Sequence, residues 1–140
     1  MLKIFDYLNK DLIYFFNADS RDEALSILTK SMDKTGVLKD EPRFFHAIIE
    51  RENVISTGIG MGVAIPHAKL DEYDEFFISI GILQKGVDWN SLDKAPVRLI
   101  FMVGGPDDKQ TEYLQILSAL TIAIKDEERR KKMLTRNSPE

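Results

Sequence analysis

Two stretches of this chain, FFISIGIL (76–83) and VRLIFMV (97–103), are apolar at nearly every position, odd and even alike. A β-strand turns alternate side chains to opposite faces, so a strand apolar on both must be covered on both. These runs therefore predict two central strands of one sheet with helices above and below it. The flanking sequence supplies the helices. Ser20 and Glu23 in SRDE form a capping box, Leu25, Leu28 and Met32 follow at helical spacing, and Gly36 is the stop. Asp40 and Pro42 open a second helix whose apolar face is Phe44, Phe45, Ile48 and Ile49 and which ends near 51–53.

Around these elements, LIYFFNA (12–18) reads as a strand, 63–65 as a brief extended piece, and VDW (87–89) as a short edge piece with Trp89 buried. GGPDD (104–108) is a turn. A third helix carries Leu114, Leu117, Leu120 and Ile124. A fourth opens on Asp126, Glu127 and Glu128 and closes on basic residues, the order the helix dipole favours, with DEERRKK (126–132) as a solvated face. Helices and strands alternate irregularly, so the sheet is expected to be mixed. NSPE (137–140) reads as the start of a further helix, so the 140 residues are expected to form one domain lacking its last helix.

Composition narrows the function. With no cysteine there is no disulfide, no thiolate nucleophile and no Cys-ligated zinc. A net charge of −4 disfavours nucleic acid as the partner and suits a basic protein surface. Lys3, Asp6 and Lys10 interrupt the apolar start, so it is not a signal peptide. No uncharged apolar run is long enough to span a bilayer, and the expected setting is the cytoplasm without membrane insertion.

The remaining oddity is GIGMGVAIPHAK (58–69). Gly58, Gly60 and Gly62 permit a tight loop whose N–H groups converge on an anion. Pro66 stiffens the backbone just before His67. A neutral imidazole beside such a cradle suits a phosphoryl group; a tight loop with a structural histidine is the other reading. The glycines match neither a Walker A loop nor a dinucleotide fingerprint, and no hydrolase elbow accompanies Ser56. His46 reads as a solvent-facing helical residue, and no spacing pairs it with His67 around a metal. Arg51 is either a phosphate clamp or a helix-end cation. Ser56 and Thr57 either bond the phosphate or brace the turn. Ile59 and Met61 either rim a docking face or pin the loop. DEYDE (71–75) is a solvated connection or an acidic flank.

The segment RENVISTGIGMGVAIPHAKL (51–70) resembles the active-site segment of enzyme IIA domains of the bacterial phosphotransferase system, in the fructose/mannitol class that includes nitrogen-regulatory members. Arg51-Glu52, Ser56-Thr57-Gly58-Ile59-Gly60 and Ile65-Pro66-His67 carry the likeness, and VDWNSLDKAPVRLIFMV (87–103) and YLQILSAL (113–120) extend it. The resemblance implies an α/β fold, a mixed sheet sandwiched by helices of the mannitol-type enzyme IIA. It implies a phosphoryl carrier that accepts phosphate on His67 from the phosphocarrier HPr and passes it to a cysteine of an enzyme IIB partner, with no cofactor and no metal. The alternative within the same family is a regulatory protein whose phosphorylation state controls binding to target proteins. Arg51 is the implied catalytic companion of His67, and Thr57, Gly58, Gly60 and Gly62 are the implied phosphate contacts. Many family members carry a second histidine in a His-Leu pair; the matching residues here are Tyr113-Leu114. A phenol can still donate to a phosphate oxygen or the imidazole, but it is not a cation at neutral pH.

Overall fold

The computed structural model describes residues 10–126. A 3₁₀ turn (Lys10–Leu12) leads into β1 (Ile13–Phe16), then α1 (Arg21–Asp33) and α2 (Glu41–Val54). Three short strands follow, β2 (Gly58–Gly60), β3 (Val63–Ala64) and β4 (His67–Lys69). The long strands β5 (Phe77–Val87) and β6 (Val97–Gly105) and the helix α3 (Gln110–Lys125) complete the order. The fourth helix and the helix start at 137–140 expected from sequence lie outside the described residues.

The sheet is mixed, in the order β1-β5-β6-β3-β2 with β4 also on β6. β1 runs parallel to β5, β3 and β4 parallel to β6, and β5 and β6 are antiparallel. The two apolar runs are its buried centre, with one core on each face. Phe76, Ile78, Ile80 and Ile82 of the first run, with Leu99, Phe101 and Val103 of β6, pack against Tyr113, Ile116, Leu120 and Ile124 of α3. Phe77, Leu83, Ile100 and Met102 face Leu25, Leu28 and Met32 of α1 and Phe44 and Ile48 of α2. The alternation of strand side chains produces this division.

The helix starts follow their sequence signals. Ser20 Oγ accepts from the Glu23 amide at 3.1 Å, and Asp40 Oδ1 accepts from the Arg43 amide at 3.1 Å. The Glu23 carboxylate reaches back to the Asp19 amide, one residue before the cap. Two apolar stripes differ from expectation. In α2 the buried line is Phe44, Ile48 and Glu52, with Phe45 and Ile49 only partly buried. In α3 the buried line is Tyr113, Ile116, Leu120 and Ile124, which turns Leu114 to solvent and leaves Leu117 at the edge. The segment 87–89 is no separate edge piece, since Val87 closes β5 opposite Val97, while Trp89 is buried as expected.

Gly104 sits where β6 passes beneath α2. A Cβ there would overlap the Phe77 ring and lie 2.7 Å from Phe44 Cε1. Gly104→Ala is expected to destabilise the fold by about 1–3 kcal/mol through overpacking, read as a lower urea midpoint with an unchanged slope.

Candidate active site

The neighbour of β6 is a strand broken in the middle. β3 pairs with Leu99 and Ile100, β4 pairs with Val103 to Gly105, and Ile65-Pro66 lie between them. Pro66 has no N–H to give the ladder, but its carbonyl accepts from the Val103 amide at 2.9 Å, and the Ile65 amide donates to the Thr57 carbonyl at 3.0 Å. The chain is therefore fixed immediately before His67, which stands opposite Val103 with its ring half-buried.

Both ring nitrogens are engaged. Nδ1 is 3.0 Å from the Ile65 carbonyl oxygen, which can only accept, so Nδ1 carries the proton. Nε2 accepts from Arg51 Nε–H at 3.0 Å, so its lone pair is free of hydrogen and points at the guanidinium. These hydrogen bonds define a neutral imidazole with an unprotonated Nε2. Burial lowers the His67 pKa below its ordinary 6.5; the Ile65 bond opposes this, and the charge of Arg51 adds to it. A proton NMR titration is expected to place the His67 midpoint below 6.5, and Arg51→Gln to raise it. The sign for stability follows. A neutral His67 contributes fully above pH 6.5, and the contribution fades as pH falls from 6.5 toward the folded midpoint, because the unfolded chain takes the proton first.

Arg51 sits in the last turn of α2, where a cation suits the helix dipole. Its Nη1 donates to the Ile55 carbonyl at 2.8 Å, which leaves the side chain bridging Ile55 and His67. Behind it lies Glu52, 3% exposed. The Glu52 carboxylate accepts from the Thr57 amide at 3.1 Å, from the Thr57 hydroxyl, and from Trp89 Nε1 at 3.2 Å. Ser56 Oγ donates to the Trp89 carbonyl at 2.6 Å. The turn at 55–57 is thus anchored on a buried carboxylate and an indole. Of the two readings for Ser56, the structure gives the brace. Sequence reasoning assigned Glu52 no role, although it falls four residues after Ile48 on the 44–48 line, where an apolar residue belongs.

His67 and Arg51 line two open clefts. The larger, about 640 Å³, is bounded by Glu50, Arg51 and Val54 of α2, His67 and Lys69 of β4, and Tyr113 of α3. The smaller, about 210 Å³, adds Thr57, Ile59, Leu117 and Thr121. The Tyr113 ring centroid is 5.6 Å from that of His67, and burial raises the phenol pKa, so the group remains a neutral donor. Lys69 Nζ lies 4.2 Å from the Tyr113 ring centroid.

The three glycines do not form the expected cradle at His67. Gly58 N–H donates to Ser56 Oγ at 3.0 Å, and none of the three lines either cleft. They build the β2–β3 hairpin instead. Gly60 and Gly62 take φ of +98° and +76° around Met61 at +60°, and the Met61 amide donates to Asp93. The hairpin tip faces the 91–96 loop, beside the start of β6, while His67 is beside its end. Thr57 is at the smaller cleft, but its hydroxyl is given to Glu52. His46 is exposed and pairs with Glu50 on the helix surface at 2.7 Å, as expected of a solvent-facing residue.

No described helix is long and apolar enough to cross a membrane. Residues 6–140 match the family model described as phosphoenolpyruvate-dependent sugar phosphotransferase system, EIIA 2. The chain is 35% identical over 138 residues to a fructose-specific EIIABC component of Bacillus subtilis, covering 98% of this chain and 22% of that protein. It thus spans about a fifth of that relative's length. It is 32% identical to a fructose-specific EIIA component of Haloferax volcanii (85% of this chain, 77% of that one) and 31% identical to a nitrogen regulatory protein of Bradyrhizobium diazoefficiens (82% and 74%). Among solved structures, the nitrogen regulatory protein IIA-Ntr of Neisseria meningitidis superimposes with a TM-score of 0.89 at 25% identity, covering 97% of this chain and 93% of that one. The mannitol IIA of Escherichia coli gives 0.78 at 21%, covering 94% and 92%, which fixes the fold as the mannitol-type IIA. The chain belongs to the EIIA type 2 family of the phosphoenolpyruvate-dependent sugar phosphotransferase system, whose members are components of a phosphotransferase.

Proposed function

We propose that this protein is a phosphoryl carrier that accepts phosphate on His67 Nε2 from the phosphohistidine of HPr and passes it to the cysteine of an enzyme IIB partner. The supporting observation is the fixed tautomer: Nδ1–H is tied to the Ile65 carbonyl, and the Nε2 lone pair sits at an open cleft beside a guanidinium. In the transfer, Arg51 releases Nε2 and turns its N–H groups to the phosphoryl oxygens. The Nε2–P bond forms as the donor's N–P bond breaks, and that electron pair returns to the donor imidazole. Nδ1 keeps its proton, and the positive charge arising on the ring is met by the Ile65 carbonyl. The work is positioning and charge stabilisation, with Tyr113 supplying a further donor. Incubation with phosphoenolpyruvate, enzyme I and HPr should add one phosphoryl group, labile in acid and stable in alkali. Absence of transfer from HPr would refute the carrier role.

A second reading, regulation by phosphorylation state without sugar transport, is favoured by the similarity to nitrogen regulatory proteins. Target capture that differs between the phosphorylated and unphosphorylated forms, with carbohydrate uptake intact on deletion, is the result that selects it.

A further inference from the structure

Lys69 follows His67 by two residues on β4, so both side chains leave the same face of the strand. Its ammonium is held over the face of Tyr113, 4.2 Å from the ring centroid, and donates to Gln110 Oε1 at 2.7 Å. It lines the same cleft as His67, Arg51 and Tyr113. Among the described residues, the charged groups facing that cleft are Arg51 and Glu50 from α2 and Lys69 from β4, with Glu52 buried next to Arg51 in the chain. The Glu50 carboxylate repels an entering dianion, and Arg51 alone only balances it. Lys69 supplies the second positive charge lining the cleft.

We propose that Lys69 is the second cation of the phosphoryl site: its ammonium leaves Gln110 for a phosphoryl oxygen on His67, with Tyr113 acting as the shelf that holds it within reach. A phenol cannot carry this charge at neutral pH, but its ring can hold a lysine that does. Gln110 is a neutral resting acceptor, so releasing the ammonium abandons no ion pair. The charge of Lys69 also opposes protonation of His67, in keeping with their proximity.

The assignment rests on phosphorylation of His67, and the test separates the two ideas. Wild type, Lys69→Gln and Lys69→Arg are phosphorylated in parallel by the enzyme I–HPr system and by phosphoramidate, which needs no protein donor. The ³¹P resonance of each phosphoprotein is then followed against pH. An ammonium on the phosphoryl group favours its dianion, so Lys69→Gln should raise the phosphoryl titration midpoint and slow labelling by HPr about tenfold, on the scale of one charge-assisted hydrogen bond. Lys69→Arg should restore both. An unchanged ³¹P titration in Lys69→Gln, or a defect that Arg fails to relieve, overturns the proposal, because a purely structural role would not track charge. Labelling by phosphoramidate without labelling by HPr removes the carrier reading and leaves the Lys69 assignment to the titration. No phosphohistidine at residue 67 by either route removes both.

Discussion

The His67→Ala variant is expected to fold and to take up no phosphoryl group from the complete donor system, a loss of about 10³-fold or more, as when the nucleophile of a covalent mechanism is removed. The backbone bonds that hold this position, Val103 to Pro66 and Ile65 to Thr57, do not involve the imidazole, so the strand survives the change. Arg51 keeps its anchor on the Ile55 carbonyl. Tyr113 lies beside it, and burial keeps its phenol protonated and poorly nucleophilic. Intact-mass spectrometry under alkaline conditions reads the outcome. Label at the wild-type level in this variant would show that the acceptor is another residue.

The second large effect falls on stability. Glu52→Ala removes the acceptor of the Thr57 amide, the Thr57 hydroxyl and Trp89 Nε1, all within buried residues. Buried donors stranded without partners cost about 1–3 kcal/mol each, so with partial relaxation the expected loss is about 3–5 kcal/mol. Trp89 is the only tryptophan, so its fluorescence reports this site directly. The urea midpoint should fall and the emission should shift. Glu52→Gln keeps one acceptor oxygen and should lose about 1–2 kcal/mol. The effect also reaches His67, because the turn that Glu52 holds presents the Ile55 carbonyl to Arg51. Labelling should slow in Glu52→Gln even where the protein is fully folded. An unchanged midpoint in Glu52→Ala would mean that water replaces the carboxylate without cost.

Much of the architecture was legible because apolar runs and caps are local signals. The runs at 76–83 and 97–103 announced a sheet buried on both faces, and Ser20 and Asp40 announced two helix starts. Of the three short strands, only β3 was legible, as the extended piece at 63–65. Gly58–Gly60 has the composition of a loop and becomes a strand only because β3 pairs with it. Leu114 was misplaced because Leu114, Leu117 and Leu120 recur every three residues, while the sheet selects the 113–116–120–124 line. At the site, Arg51 and His67 were identified together, and the structure joins them by a hydrogen bond. The glycines misled because backbone freedom looks the same whether it serves a ligand or a hairpin. Glu52, the Ile65 carbonyl and Lys69 were missed, since each acts through a partner distant in sequence or through a main-chain atom that composition does not show. The β4 register alone could have placed Lys69 beside His67.

The proline break beside β6 has a consequence for how such a domain communicates. With the residue before the imidazole zipped to Val103 and the residue after it to Gly104, His67 cannot travel toward a partner without tearing the sheet. Partners must come to it. Nor would occupancy of the ring move the strand that carries it. A bound phosphoryl group would bring a dianion to the cleft, one net negative charge once the charge on the ring is counted, with the Arg51 and Lys69 side chains turned toward it, and a partner would tell loaded from empty by electrostatics, with a preference that weakens as salt is raised.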